Sequence, residues 1–371
     1  MEFIQKYIPT ILNGLKKIEK FISKSPVVYD DTTRIFGECL NKFPYIITSY
    51  TPGLFKIIRE CSYVRNTFFQ LINDNFYIID GNSCGNLKSS IYFTNDYQFV
   101  IKIISMSEKQ CLDEISSYYK NYLYKHQNSL LCRIIGSYLI EIEEKIHGDK
   151  NKKKKIYFIV MKNIFPRDKT IDMIFDLKGS SRQGSTHRET SIYKDDEWDS
   201  FKKPLIIYTR KFQLIKRLER DIKFLCGMKL MDYSLLIGIH FENCNYRTYR
   251  NMYGVRHVSP SIESQMMLLN RDEISNIEYF YNENINLYIS DDIENSDYYY
   301  IGIIDILTKW TFRKKLERTF NTLLCRCRSS STSPYKYADR LNFFIKEKLF
   351  YCERKKDQNK ISHLKDEIID K

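Results

Sequence analysis

Alanine is nearly missing from this 371-residue chain: it occurs once, at Ala338. Propensity arguments built on alanine-rich helices have nothing to work on, so hydrophobic periodicity carries the reading. Long apolar runs are missing too. No stretch of 18 or more apolar residues is present to span a bilayer, and no apolar leader core precedes a cleavage site, so the chain is expected to be soluble or peripheral. The ten cysteines lack paired zinc spacing, their one close pair being Cys325 and Cys327, and a reduced intracellular chain is the simplest account. With 13 glycines and 8 prolines, and 43% hydrophobic and 15% aromatic residues, collagen-like, linker and wholly disordered classes are excluded. At about 150 residues per domain the length fits two to three units, or one enzyme of two lobes.

The net charge is positive over most of the chain. Lysine and arginine number 59 against 46 acids, a net of +13 that favours a polyanionic partner. Residues 242–298 run the other way, with ten acids against four arginines, a net of −6; the remaining residues therefore hold 13 + 6 = +19. Nucleic acid, an anionic membrane and a phosphorylated substrate all fit that charge. No aromatic-basic recognition string supports nucleic acid, which is not an expected partner.

Within residues 1–45, Ile4, Ile8, Ile11, Leu15, Ile18 and Ile22 stand at helical spacing among lysines. The pattern predicts a basic amphipathic helix followed by a linker, the helix packing on the body of the protein or on a second copy rather than inserting at a membrane. Residues 46–165 read as a first lobe. Strands are expected at 92–94, 98–104, 137–143 and 156–163, a helix at 108–124, and an exposed hairpin turn at 152–155. Residues 166–350 read as a second lobe, with a helix closing near Gly227, strands at 234–240 and 299–304, and a helix at 335–349. The acidic, asparagine-rich insert 242–298 reads as largely mobile, and 351–371 as a charged tail.

Alternation in Gln98-Phe-Val-Ile-Lys102-Ile-Ile104 places Lys102 on one face with Val100 and Ile104, where an ammonium needs an anionic partner or a route to solvent at an edge. A small-residue turn at 81–90, ending in Ser89 and Ser90, precedes it and suits covering nucleotide phosphates. Asp232 follows a helix and precedes an apolar strand; Asp305 follows another apolar strand. Carboxylates at strand ends can converge on a cleft, one to orient a hydroxyl and one to hold magnesium, or each can be an ordinary turn acid.

Three segments then carry a resemblance: Asp176-Leu-Lys178-Gly-Ser180; Met231-Asp-Tyr-Ser-Leu-Leu236 with Gly238-Ile-His240; and residues 302–307 followed by Lys314-Lys-Leu-Glu317. In this order they resemble the signature segments of the phosphatidylinositol phosphate kinases, most of all the 4-phosphate 5-kinase branch. A weaker likeness runs from Tyr50-Thr-Pro52, Phe55 and Arg59 to Pro334, Tyr337-Ala338 and Arg340.

The resemblance implies an α+β, two-lobed lipid-kinase fold distantly related to protein kinases, an antiparallel sheet in each lobe, ATP in the cleft and a flat basic face toward the membrane. Asp232 and Lys178 are similar to the family's catalytic residues, Lys178 being similar to the lysine near the transferred phosphate and the lipid headgroup, Asp305 to its magnesium ligand, and Lys102 to the lysine on the ATP phosphates. Met161, Asn163 and Phe165 resemble the hinge beside adenine, with Ser89 and Ser90 in the phosphate loop. The glutamate that pairs with Lys102 is open among Glu108, Asp113 and Glu114.

Two departures stand out. A serine replaces the second loop glycine at Ser89 or Ser90, and Gly184 replaces an arginine, for which Arg182 or Arg188 is the substitute in binding substrate. Residues 314–334 correspond to the activation segment, where Arg318, Arg326 and Arg328 are placed to meet lipid phosphates. The implied activity is ATP- and Mg²⁺-dependent phosphorylation of phosphatidylinositol 4-phosphate at the 5-hydroxyl in an anionic membrane. It implies a cytoplasmic, peripheral location at the plasma membrane and a homodimer. The other reading is an inactive relative that serves as a membrane-binding scaffold.

Overall fold

A computed structural model describes residues 7–24, 32–38, 44–64, 91–94, 98–145, 151–165, 169–180, 192–201, 205–241, 286–291, 297–310 and 333–350. The first half forms a six-stranded sheet from β1 (Thr32–Glu38), β2 (Pro44–Tyr50), β3 (Ile91–Phe93), β4 (Phe99–Ile104), β5 (Ile134–Lys145) and β6 (Asn151–Lys162), in the order β1-β2-β5-β6-β4-β3. All of its pairings are antiparallel. The first helix, α1 (Ile8–Lys24), buries Ile8, Ile11, Leu15 and Ile18 and packs on β1 and β2. Its apolar stripe is thus covered by its own sheet, as expected of a helix seated on the body. Pro9 lies in its first turn, where a missing N–H costs nothing.

The expected boundary at 45/46 falls inside β2, and β1 also belongs to the sheet; residues 32–38 and 44–45 are strand residues of the first lobe rather than linker. Residues 152–155, expected in a turn, lie in β6. Opposite-charge pairs across the sheet explain this: Lys155 meets Glu141 at 2.9 Å and Lys153 meets Glu143 at 2.8 Å, directly across from β5.

Two more helices lie in this lobe. The short α2 (Pro52–Cys61) packs against α3 (Met106–Lys125) and β5. In α3, Cys111, Leu112, Ile115, Tyr119 and Leu123 are buried at helical spacing. Arg59 of α2 donates to the carbonyl of Ile135 at 3.0 Å and lies 3.8 Å from Glu19 of α1, which also accepts from Tyr138 at 2.5 Å. A buried charge there is tolerable because it is both paired and hydrogen-bonded.

The second half contains β7 (Met173–Leu177), β8 (Ile192–Tyr193), β9 (Ser234–His240), β10 (Leu287–Ile289) and β11 (Tyr298–Ile304), in the order β10-β11-β9-β7-β8. This sheet is not wholly antiparallel as expected, because β7 and β8 run parallel. Helix α4 (Asp195–Phe201) packs on that pair, while α5 (Lys211–Gly227) packs on α6 (Pro334–Glu347). The acidic insert is partly built into the fold: β10 pairs with β11, and Asp291 accepts the backbone N–H groups of Tyr208 at 2.5 Å and Thr209 at 3.0 Å. The rest of the insert, 242–285 and 292–296, lies outside the described residues.

The lobes are joined on two sides. Leu131 bridges to Ile303, the N–H of Cys132 donates to Ile303, and the N–H of Ile303 donates to Leu130. Behind that contact, Asp221 of α5 accepts from the Tyr122 hydroxyl of α3 and, at 2.6 Å, from the Leu130 N–H. Buried apolar side chains of both lobes form one cluster.

Candidate active site

Strand order sets the site. β11 ends as β9 begins, Ile304 facing Ser234, and β7 ends beside β9, Leu177 facing Leu235. Asp305, Asp232 and Lys178 therefore leave three neighbouring strands at the same edge of one sheet, in that order. Adjacent strands lie about 4.8 Å apart, so the row spans roughly 10 Å. Both aspartates have left-handed backbone, φ 63° at Asp232 and 59° at Asp305. Aspartate tolerates that region better than most side chains. The flanking segments hold each other: Met231 N–H donates to Thr308 at 2.9 Å and Trp310 N–H to Lys229 at 2.9 Å.

Lys102 reaches this edge from the other lobe. It is buried in β4 and donates to Asp305 Oδ1 at 2.8 Å, with Glu108 Oε1 at 3.4 Å. Burial alone would depress the lysine pKa; the charge and hydrogen bond of Asp305, reinforced by Glu108, raise it instead. The partner left open among three acids is therefore Glu108. Asp113 binds Lys109 at 2.5 Å, and Glu114 pairs with Lys309. Glu108 is held in turn by a capping box at the start of α3, where Oε2 accepts the Ser105 N–H at 2.8 Å. The Cys132 thiol lies behind this pair, pushed up to about 12 by burial and the Asp305 charge, and is inert at neutral pH.

At the opposite end of the row, Lys178 Nζ donates to the backbone carbonyl of Asp232 at 3.0 Å. Its loop is pinned by Asp195 of α4, a residue the sequence reading missed. The Asp195 carboxylate accepts the N–H groups of Lys178 at 3.1 Å and Gly179 at 2.7 Å, and the Ser180 hydroxyl at 3.3 Å. Burial raises the Asp195 pKa against the effect of those donors. Asp176, one residue before the end of β7, is neutralised by Lys194.

Met161 faces Val100 and Ile159 faces Lys102 across β6 and β4, so all four share one face of the sheet. Asn163 continues the connection between the lobes, its N–H donating to Gln98 at 2.8 Å and its side chain accepting the Phe165 N–H at 3.2 Å. Ile164 and Phe165 rest on the second sheet where it carries glycines. A Cβ at Gly302 would come 2.5 Å from Ile164, and one at Gly238 2.5 Å from Phe165. Of the residues expected beside adenine, Met161 lies in the first sheet and Phe165 rests on the second.

Ser89, Ser90, Arg182, Arg188, Arg318, Arg326 and Arg328 lie outside the described residues. Among the described residues no three acids, histidines or cysteines gather as a metal site. Magnesium does not require one, since it commonly takes one or two carboxylates with substrate phosphates and water. Asp305, 39% exposed and already holding a cation, fits that role.

Fold and site together define an α+β chain of two lobes in which a lysine and a glutamate of one lobe meet the end of the other lobe's sheet, where two strand-end aspartates stand on neighbouring strands. Residues 73–348 match the family model Phosphatidylinositol-4-phosphate 5-Kinase, and the chain belongs to that family. It is 30% identical over 301 residues to a probable phosphatidylinositol phosphate kinase of Dictyostelium discoideum, covering 70% of this chain and 41% of that protein. It is 28% identical to a phosphatidylinositol 4-phosphate 5-kinase of Plasmodium falciparum, covering 81% of this chain and 18% of the relative. Likeness to phosphatidylinositol 4-phosphate 5-kinase 1 of Arabidopsis thaliana is 29%, over 80% of this chain and 44% of the relative. The chain thus spans less than half the length of these relatives.

Proposed function

We propose that this chain transfers the γ-phosphoryl group of ATP to a ring hydroxyl of a phosphatidylinositol monophosphate, the 5-hydroxyl of phosphatidylinositol 4-phosphate being the preferred acceptor. The observation that carries this reading is the ordered row Asp305, Asp232, Lys178, met at the Asp305 end by Lys102. A row of this kind separates a nucleotide end from an acceptor end.

Lys102 binds the nucleotide phosphates in this reading, and Glu108 keeps its ammonium aimed at the row. Asp305 holds Mg²⁺, which when bound neutralises charge on the phosphate oxygens. Met161, Asn163 and Phe165 border the adenine. Asp232 orients the ring hydroxyl and takes its proton as the oxygen bonds to the γ-phosphorus and the bond to ADP breaks. Lys178 offsets charge on the phosphoryl group in transit. Catalysis is then mainly positioning and electrostatics.

The net charge of +13 supports an acceptor presented on an anionic surface. No helix among the described residues is long and apolar enough to cross a membrane, which suits peripheral action at the cytoplasmic face of the plasma membrane. A homodimer remains part of the proposal.

Incubating the chain with labelled ATP, Mg²⁺ and vesicles carrying each phosphatidylinositol monophosphate separately tests the reading. A bisphosphate formed chiefly from the 4-phosphate is the expected result. Vesicle binding without product from any isomer would overturn it in favour of an inactive membrane-binding scaffold.

A further inference from the structure

Two cations at the far end of the aspartate row have no carboxylate partner among the described residues. Lys178 Nζ donates to the backbone carbonyl of Asp232 at 3.0 Å, and Arg340 Nε donates to the backbone carbonyl of Lys178 at 3.3 Å. Arg340 otherwise packs over the Tyr337 ring, its guanidinium 4.9 Å from the centroid. By contrast Lys102, Lys194 and Lys309 each meet an acid. Neutral carbonyl acceptors leave the charges of Lys178 and Arg340 without a counter-ion among the described residues.

Arg340 is fixed in this place. The Lys178 loop rests directly on α6: a Cβ at Gly179, whose φ is 66°, would come 3.1 Å from the Arg340 carbonyl and 3.2 Å from Leu341 Cα. One turn earlier, the Tyr337 hydroxyl donates to the carbonyl of Tyr233, the residue after Asp232. Helix α6 is therefore tied to the loops of Lys178 and Asp232 together. Along the row, the nucleotide end is the pair of Lys102 and Asp305. Lys178 stands two strands away, roughly 10 Å, and Arg340 attaches to its backbone at that far end of the row.

We propose that Arg340 is a substrate-binding residue which, beside the Lys178 that faces the phosphoryl group in transit, takes the phosphate monoester already carried by the inositol ring of the acceptor. The inference rests on the lipid-kinase reading above. A guanidinium presents a planar fork of donors matched to phosphate oxygens, and its terminal nitrogens have no protein partner here among the described residues. Arg340 then distinguishes a monophosphate acceptor from unphosphorylated phosphatidylinositol.

The experiment compares the full chain with Arg340→Gln and Arg340→Lys, each checked by thermal melting. Label transfer is measured to vesicles of phosphatidylinositol 4-phosphate and of phosphatidylinositol, and calorimetry measures binding of free inositol 1,4-bisphosphate and inositol 1-phosphate. For Arg340→Gln the KM for the 4-phosphate lipid should rise roughly tenfold to a hundredfold, with the KM for ATP unmoved and the preference over phosphatidylinositol lost. Arg340→Lys should recover part of that preference, and it decides the matter if Arg340→Gln does not fold. An unchanged acceptor KM in a folded variant, or equal losses on both lipids, would overturn the inference. If the unaltered chain phosphorylates no lipid, the function proposed above fails by itself. The headgroup arm then decides: bisphosphate binding lost in Arg340→Gln sustains the phosphate contact, and binding that is unchanged or absent in both rules it out.

Discussion

The Lys102 ammonium lies 2.8 Å from the carboxylate of Asp305, 203 residues further along the chain and in the other lobe. Strand β4 supplies one group and the end of β11 the other. Their contact stands at the end of the row opposite Lys178, and Glu108 is the second acid on the same lysine.

Replacing Glu108 with alanine removes one of those acids and the carboxylate of the capping box. ATP binding should weaken and α3 should lose about 0.5–2 kcal/mol of stability at its first turn. Glu108→Gln keeps an acceptor for the Ser105 N–H, so it should recover the melting temperature but not nucleotide affinity. If both variants bind ATP as the unaltered chain does, Glu108 is a cap only.

Gly302→Ala should displace Ile164, because the new methyl would lie 2.5 Å from its Cδ1. Overpacking of this kind costs about 1–3 kcal/mol. Since Ile164 lies beside Asn163 and Phe165, the KM for ATP should rise with the loss of stability. A variant with normal melting and normal ATP dependence would show that the connection does not need its close seat on the second sheet.

Tyr122→Phe removes a donor from the buried Asp221 carboxylate at the contact between α3 and α5. Leaving a buried acceptor one partner short should cost about 1–3 kcal/mol, read by urea denaturation. An unchanged midpoint would mean that the Leu130 N–H satisfies Asp221 without help.

The pH dependence of stability should carry a mark of His240. Its hydrogen bond to Asp172 raises the imidazole pKa, against burial and the nearby Lys169, which lower it. The folded chain thus holds that proton more tightly than the unfolded chain. The contribution is complete below the unfolded value of about 6.5 and is lost as pH rises through the higher folded value. His240→Gln should flatten the stability profile in that window, and an unaltered slope would assign it to other groups.

Strand and helix patterns were legible in the sequence where burial alternates cleanly. Ser234–His240 is found at its expected limits, and α5 ends at Gly227 as expected. Periodicity could not identify β1 or place Lys152 to Lys155 in a strand, because their pairing depends on partners remote in sequence: β2 for one, and the glutamates of β5 for the other. Strand ends and a lysine among apolar residues are local signals that singled out the aspartates and Lys102, but each equally fits an ordinary turn acid or edge lysine, and only the likeness gave them roles. Asp195 was not, since its role is to accept from a loop 15 to 17 residues earlier, and nothing in its own segment of acids marks it. Arg340 was noticed only as part of a likeness; its contact with Lys178 is a property of packing.

The most direct test of the central claim is turnover by Asp232→Asn. The substitution keeps size and shape while removing the carboxylate that orients and deprotonates the acceptor. With melting temperature and ATP binding retained, label transfer to phosphatidylinositol 4-phosphate vesicles should fall by about 10²- to 10⁴-fold, the range for losing general-base assistance. Full activity in that folded variant would contradict the assignment of the Asp305, Asp232, Lys178 row as the site of phosphoryl transfer.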